Sequence, residues 1–246
     1  MAILIAGGTK GIGLAIAKAF APDAGDVFLG YHSDDVAAAA ALEAVSHAGG
    51  RPHLIKADVG TPEGCAAMAD AVRSVTGRLD QVVHCAVDAY ATTTLGADPA
   101  CFANAVTANG TSLLFLVQAT LSLMSRGSSV FYMTSRGGRV VVPNYAAVGV
   151  AKALAESLVR YLAVDLAPRG IRINAIAPAI VETDAVRTLF GTEAGALVRA
   201  ANEHNPSGRG VADADYTNLM RYLASPQAEF IQGQVMFVNG GANLSA

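Results

Sequence analysis

Short apolar runs alternate with longer amphipathic runs along nearly the whole chain. The apolar runs have the length of β-strands: AILIA, DVFLGY, RPHLIKA, DQVVHCA, SSVFYMT, IRINAIA and QVMFVNG. The segments between them carry apolar residues at helical spacing, at 12–20, 34–47, 62–76, 98–124, 144–166 and 212–224. Strands that are separated by helices pair in parallel and need cover on both faces. The pattern predicts one doubly wound α/β domain over residues 1–246.

Composition narrows the functional classes. The chain is 52% hydrophobic, enough for one large core, and its net charge of −3 leaves no basic stripe for nucleic acid. No run is long enough to span a bilayer, and AILIAGG is too short for a signal peptide. Cys65, Cys85 and Cys101 form no CxxC pair and are expected to be small core residues in a reducing compartment. We therefore expect a cytoplasmic protein without a membrane, nucleic-acid or metal partner.

A glycine-rich loop follows the first predicted strand. In LIAGGTKGIGLAIAKAF, the three glycines of a G-x3-G-x-G spacing stand between a strand and a helix. Glycine permits a sharp turn and the close approach of a dinucleotide, while the helix start presents free N–H groups to a pyrophosphate. This context favours a dinucleotide site over a purely structural turn. The expected cofactor contacts in the loop are Gly7, Thr9, Lys10, Gly11, Ile12 and Gly13.

The end of the second strand bears on the choice of cofactor. The run GYHSDD has no carboxylate at the strand tip to receive an adenosine ribose diol, whereas Lys10, His32 and Ser33 are suited to a 2′-phosphate. This favours NADP(H) over NAD(H). Asp34 and Asp35 follow immediately and argue in the opposite direction, and a solvated Lys10 is the alternative interpretation.

Further motifs follow the glycine loop in order: ADV at 57–59, GRLDQVV before the fourth strand, NAIAPAIVET at 174–183 and GQVMFVNGG at the last strand. Together they resemble the short-chain dehydrogenase/reductase family over essentially the whole chain. The resemblance implies a seven-stranded sheet, a nicotinamide cofactor and a homodimer or homotetramer. It also implies cofactor contacts from Asp58, Val59, Cys85, Ala86, Pro178, Ile180 and Thr183.

Three departures from the family pattern stand out. Ala6 replaces a frequent threonine, Ala179 replaces a glycine, and HCAV at 84–87 replaces Asn-Asn-Ala-Gly. The two alanines are mild changes. His84 is expected to be a packed histidine beside the cofactor, and a titrating participant in the reaction is the alternative.

The largest departure concerns the family's proton donor. Most members use a tyrosine four residues before a lysine, but Val148 stands four residues before Lys152 and cannot donate a proton. Tyr145 lies seven residues before Lys152, and seven helical steps leave two side chains about 20° apart on one face. If the helix already begins at Tyr145, that residue lies about 4.5 Å along the helix axis from the usual donor position.

The shifted tyrosine suits a different reaction. Reduction of an α,β-unsaturated thioester places negative charge on an oxygen two carbons away from the hydride-accepting carbon, so a donor belongs further from the nicotinamide. The Tyr-x6-Lys spacing resembles the enoyl-acyl-carrier-protein reductases of this superfamily, most closely their NADPH-using third type. The resemblance implies that Tyr145 serves the enolate oxygen and that Lys152 holds the nicotinamide ribose. It further implies that Ser135 binds the substrate carbonyl and that Asn109 helps to hold Lys152.

Residues 182–210 have no clear period and contain HNPSG. We expect an irregular, mobile flap whose Leu189, Phe190, Leu197 and Val198 close over an acyl chain carried on acyl carrier protein or CoA. The arginines at 187, 199 and 209 would attract an acidic carrier, although solvated charges are the favoured interpretation.

Two other functions stay open at the level of sequence. The same fold would serve a ketone or cyclic-enone reductase of specialised metabolism, with Tyr145 or His84 as the proton donor. Alternatively, the chain would bind NADP(H) without catalysis, and Tyr145 would be a tyrosine packed at the surface at the start of a helix.

Overall fold

The computed structural model describes residues 1–242 and 244. They form a seven-stranded sheet with the order β3-β2-β1-β4-β5-β6-β7, and all neighbouring strands are parallel. The strands are β1 (Ala2–Ala6), β2 (Asp26–Tyr31), β3 (Arg51–Lys56), β4 (Leu79–His84), β5 (Met124–Met133), β6 (Arg172–Pro178) and β7 (Val235–Val238). The predicted single Rossmann-like domain with a seven-stranded parallel sheet is confirmed.

The helices of the described residues lie where the amphipathic runs predict them, with two additions. They are α1 (Gly11–Phe20), α2 (Asp35–His47), α3 (Pro62–Val75), α4 (Pro99–Val106), α5 (Ser112–Thr120), α6 (Ala146–Leu166), α7 (Asp184–Phe190), α8 (Ala194–Glu203) and α9 (Asp213–Ala224). The predicted helix at 98–124 is interrupted by a π-helical turn at Thr107–Thr111, and a 3-10 turn at Leu121–Leu123 precedes β5.

Both faces of the sheet are covered. On one face, α3, α5 and α6 pack on side chains such as Leu4. Leu113 of α5 and Val159 of α6 belong to this part of the core. On the other face, α1, α2 and α9 pack on Ile3 and Ile5. Because side chains alternate along a strand, β1 serves both layers and is buried throughout.

The stretch Pro99–Leu123 corrects one sequence inference. Its 25 residues include a window with a mean hydropathy of 1.4, so by length and composition it is able to cross a bilayer, contrary to our expectation that no run would be. Leu113 and Leu116 of this stretch are fully buried within the core. The stretch therefore packs as a helical layer on the sheet.

The predicted irregular flap at 182–210 is also corrected. It contains the two helices α7 and α8, joined by a 3-10 turn at Gly191–Glu193. Its far end is tied to the end of β7, since the Asn205 side-chain amide donates to the Asn239 carbonyl at 3.0 Å. The helices are short and have glycines at 191 and 195, so the sequence shows no clear helical period there.

The cysteines are not all core residues, contrary to expectation. Cys65 is fully buried, Cys85 is partly exposed and Cys101 is exposed at the first turn of α4. All three are unpaired. Burial raises the pKa of Cys85 to about 11, so its thiol is protonated at neutral pH.

Candidate active site

A cleft of about 780 Å³ opens at the carboxyl ends of the central strands. The strand order reverses between β1 and β4, and this reversal is where doubly wound sheets leave a crevice. The predicted site residues that line the cleft are Gly7, Thr9, Lys10, Gly11, Ile12, His32, Ser33, Cys85, Ala86, Ser135, Tyr145, Lys152, Pro178, Ile180 and Thr183. Asp58 and Val59 line a smaller adjoining cavity of about 120 Å³, which shares Gly7, His32 and Ala86 with the cleft. Gly13 and Asn109 are buried and line neither cavity.

The glycine loop has the shape that a dinucleotide requires. Gly7 has φ +80°, and a Cβ on it would lie 2.6 Å from the backbone of Ala86. A Cβ on Gly13 would overlap the carbonyl of Gly7. Lys10 is the N-cap residue of α1 and its side chain makes no capping hydrogen bond, so the first amides of α1 face the cleft without a side-chain acceptor. The loop therefore fits a pyrophosphate at a helix N-terminus.

The adenosine end of the cleft holds opposing charges. Lys10 Nζ lies 2.9 Å from an Asp34 carboxylate oxygen and 3.8 Å from an oxygen of Asp184. Asp34 also caps α2 by accepting from the Ala37 amide at 2.9 Å, and these contacts lower its pKa. Lys10 is thus already paired in this structure, which bears directly on the choice between NADP(H) and NAD(H).

Tyr145 stands just outside the long helix α6. It is the N-cap residue, with φ −110° and ψ 12°, and α6 begins at Ala146. The condition for the expected 4.5 Å spacing, a helix that already includes Tyr145, is therefore not met, and helical geometry alone does not relate Tyr145 to Lys152. The Tyr145 carbonyl still accepts the Gly149 amide at 2.7 Å, which ties the residue to the first turn.

The phenol of Tyr145 is held by the turn that follows β5. The Tyr145 hydroxyl lies 3.1 Å from Ser135 Oγ, which also accepts the Gly137 amide at 3.2 Å. Gly137 lies flat against the ring, since a Cβ there would be 2.5 Å from a ring carbon of Tyr145. Burial raises the pKa of Tyr145 above its ordinary value, although the hydrogen bond with Ser135 opposes the shift, so the phenol keeps its proton at neutral pH and is able to donate it.

The backbone before Tyr145 has an uncommon conformation. Asn144 has φ +58°, the left-handed region that asparagine tolerates better than most residues. Its carbonyl accepts the Thr92 amide at 3.0 Å, and Thr92 and Tyr145 form an isolated parallel bridge. The loop between β4 and α4 thereby fixes the backbone at Tyr145.

Lys152 is nearly fully buried, with 6% of its surface exposed. Its ammonium donates to the Met133 carbonyl at 2.7 Å and lies 4.7 Å from the centre of the Tyr132 ring. Burial lowers the pKa of Lys152 to about 8, although Cys85 and Glu156 act to raise it. The lysine reaches the cleft as a desolvated cation that titrates near neutral pH.

The usual donor position and the predicted asparagine lie away from the cleft surface. Val148 is fully buried and does not line the cleft. The Asn109 side chain bonds the backbone of Asp88, accepting from its amide at 2.9 Å and donating to its carbonyl at 2.8 Å, and the backbone carbonyl of Asn109 accepts the Tyr132 hydroxyl. The expected role of Asn109 in holding Lys152 stays a prediction.

His84 is a packed residue. It is fully buried at the end of β4, and its Nε2 lies 2.6 Å from Ser112 Oγ, which itself donates to the Ala108 carbonyl at 2.7 Å. Ser112 therefore accepts from His84. Burial lowers the pKa of His84 to about 3, so the imidazole is neutral at neutral pH. This environment favours the packing interpretation over titration in the reaction.

Residues of the flap at 182–210 line part of the cleft. Leu189, Phe190 and Leu197 line the cleft, whereas Val198 is buried away from it. Two of the arginines considered for carrier binding are paired locally. Arg187 lies 3.0 Å from both Glu182 and Asp184, and Arg209 lies 2.6 Å from Asp215.

Sequence reasoning missed three residues that contact Tyr145 or fix the backbone beside it: Thr92, Gly137 and Asn144. The pair of glycines in MTSRGGR was the available signal for a tight turn against a bulky neighbour. Thr92 is far in sequence from Asn144 and Tyr145, so its contacts with them leave no local pattern.

This arrangement defines the class of the protein. The glycine loop, the cleft at the strand reversal and the buried Lys152 are those of a nicotinamide-dependent oxidoreductase of the short-chain dehydrogenase/reductase type. The family model described as enoyl-(acyl carrier protein) reductase matches residues 6–243. The chain belongs to this family.

Individual relatives differ in substrate and cofactor. The 1-cyclohexenylcarbonyl-CoA reductase of Streptomyces collinus is 29% identical over 243 residues, 99% of this chain and 87% of that protein. The crystal structure of an enoyl-[acyl-carrier-protein] reductase (NADH) from Aquifex aeolicus superimposes with a TM-score of 0.87 at 27% identity, covering 100% of this chain and 97% of the other. The angucycline C-6 ketoreductase LanV with bound NADP has a TM-score of 0.86 at 25% identity, with coverage of 99% and 96%.

Proposed function

We propose that the protein is an NADPH-dependent reductase of the C=C bond of an enoyl thioester. The observation that carries the proposal is the Tyr145 phenol, which lines the cleft, is protonated and is paired with Ser135 at 3.1 Å. The usual donor position is filled by Val148, which is buried and away from the cleft. The only phenol that the family pattern would use is thus the displaced one, and its displacement suits a charge that develops away from the hydride-accepting carbon.

The residues act on the substrate oxygen. When bound, the nicotinamide supplies the hydride that adds to the β-carbon of the enoyl group. The thioester oxygen gains negative charge, and Tyr145 donates a hydrogen bond or its proton to it, while Ser135 orients the phenol. A proton from solvent then adds to Cα, and any proton lent to the oxygen returns to Tyr145, so that one hydride and one proton are added in total. The Lys152 cation holds the nicotinamide ribose and favours the developing anion.

The choice of NADPH rests on the end of β2. His32 and Ser33 line the cleft beyond Tyr31, the last residue of that strand, and Lys10 lines the same cleft. The proposal requires Lys10 to leave Asp34, 2.9 Å away, and to meet the 2′-phosphate. Dissociation constants for NADPH and NADH, measured by the fluorescence of the reduced cofactor, test this choice.

The flap supplies the acyl side of the proposed site. Leu189, Phe190 and Leu197 present an apolar wall that would cover an acyl chain and exclude water. The proposed substrate is carried on CoA or acyl carrier protein. We also propose that the protein is a cytoplasmic homo-oligomer, a dimer or tetramer, and sedimentation in the presence and absence of NADPH would measure its assembly.

Tyr145→Phe tests the proposed reaction. We expect kcat for crotonyl-CoA with NADPH to fall by about 10²- to 10³-fold, because one preorganised donor to a developing oxyanion contributes on that scale. The dissociation constant for NADPH should not change. Tyr161→Phe is the matched control, because Tyr161 lies on α6 and is 74% exposed. Unchanged turnover by Tyr145→Phe would reject the proposal.

The alternatives give different results in the same assay. A ketoreductase would oxidise NADPH with a β-ketoacyl-CoA and leave crotonyl-CoA untouched. A binding protein without catalysis would bind NADPH and oxidise it with neither substrate.

A further inference from the structure

A buried carboxylate lies behind the candidate site and is not used in the proposed reaction. Glu156 is on α6, one helical turn after Lys152, and only 4% of its surface is exposed. Taking a carboxylate out of water is unfavourable unless hydrogen bonds and an opposite charge replace the lost hydration. Its partners therefore indicate which part of the structure depends on it.

Both partners of Glu156 lie in the turn after β5. Oε1 of Glu156 accepts from the Thr134 hydroxyl at 2.8 Å, and Oε2 accepts from Arg139 Nε at 3.1 Å. Thr134 and Arg139 are the two ends of a six-residue turn. One carboxylate thus joins both ends of the turn to helix α6.

The residues inside this turn are those that contact Tyr145. The Ser135 hydroxyl lies 3.1 Å from the phenol, and Gly137 packs against its ring. The turn also packs tightly on α6, since a Cβ on Gly138 would lie 3.0 Å from Oε1 of Glu156. A change at Glu156 would be transmitted to the phenol through the turn.

We propose that Glu156 is a positioning residue, whose carboxylate clamps Thr134 to Arg139 and so holds Ser135 and Gly137 against the donor Tyr145. The clamp extends to β7, because the Arg139 guanidinium lies 4.9 Å from the centre of the Phe237 ring, and Phe237 lines the cleft. The expected effect on catalysis rests on the proposed function, whereas the clamp itself depends only on the contacts of the turn.

Glu156→Gln tests the clamp, because the amide keeps the size of the side chain. Its oxygen is able to accept from Thr134, but its NH₂ group then faces the Arg139 donor and the ion pair is lost. We expect faster amide hydrogen exchange in peptides covering 134–145, with no change in β1 or α1. We also expect kcat to fall by between about tenfold and a hundredfold at unchanged NADPH affinity, since misplacements of about 1 Å have effects of that size.

A pH profile separates positioning from a general loss of stability. The Glu156 carboxylate acts to raise the pKa of Lys152, so the alkaline decline of kcat should move to lower pH in Glu156→Gln. Glu43→Gln, on the exposed part of α2, is the matched control. Thr134→Val should reproduce the faster exchange and Thr134→Ser should not, and this pair keeps the test valid if Glu156→Gln fails to fold.

The outcomes are distinct. Unchanged exchange at 134–145 in both Glu156→Gln and Thr134→Val would overturn the clamp. Faster exchange together with an undiminished kcat would overturn its role in positioning. If the wild-type protein reduces no enoyl thioester, the proposed function fails; faster exchange would then support the clamp and unchanged exchange would reject it.

Discussion

Gly137→Ala is the most direct test of how the donor is held. A Cβ at position 137 would lie 2.5 Å and 2.6 Å from two ring carbons of Tyr145, whereas ordinary contact begins at 3.4 Å. The ring and the turn must therefore separate by about 1 Å, and a displacement of that size lowers catalytic rates by about a hundredfold. The turn has little room to move away from the ring, because α6 packs closely behind it. A Cβ added at Gly149 of α6 would lie only 2.8 Å from the Gly137 carbonyl oxygen.

The expected result is a loss of kcat with crotonyl-CoA of about a hundredfold, close to that of Tyr145→Phe, at unchanged NADPH affinity. A thermal melt establishes that the variant is folded. Gly77→Ala is the control for adding a methyl group, since a Cβ there has nothing within 4 Å. If Gly137→Ala keeps its kcat within about twofold of wild type, the ring does not need its present position and the reasoning fails.

Two further predictions concern charge. Burial lowers the pKa of Lys152 to about 8, with Cys85 and Glu156 opposing the shift, so the ammonium is present below pH 8 and is lost above it. We therefore expect kcat, measured with saturating NADPH, to decline above about pH 8. A kcat that stays flat to about pH 10 would show that the charge of Lys152 is not needed. Asp34→Asn keeps an acceptor for the cap of α2 and removes the shorter of the two ion pairs of Lys10, so NADPH affinity should rise about five- to tenfold relative to NADH. An unchanged affinity ratio would exclude Lys10 as the phosphate ligand.

The fold was predictable because its information is local. The period of apolar residues distinguishes strands from helices, and the crossovers then dictate a parallel sheet. The glycine loop places the cofactor end for a similar reason, since Gly13 packs on Gly7 within the loop and Gly7 packs on Ala86, just beyond the adjacent strand β4. The boundary of α6 was less accessible, because the spacing of apolar residues does not reveal that Tyr145 has left the helix.

The contacts that hold Tyr145 and the turn beside it were not predictable because they are non-local. Glu156 meets Thr134 across 22 positions and Arg139 across 17, and Thr92 meets Asn144 across a greater distance. A buried glutamate on an amphipathic helix looks the same in sequence as an exposed one. Only the fold brings its carboxylate to the turn.

The position of Tyr145 explains why such support is needed. A tyrosine within a helix has its backbone fixed by the helical hydrogen bonds on either side. Tyr145 lies before the first turn of α6, so its backbone depends on the Thr92 bridge and on the left-handed conformation of Asn144. Its ring depends on Gly137 and Ser135. Two loops therefore orient Tyr145 in place of the helix. If Tyr145 is the donor that we propose, variants in the turn after β5 should resemble variants of the tyrosine itself.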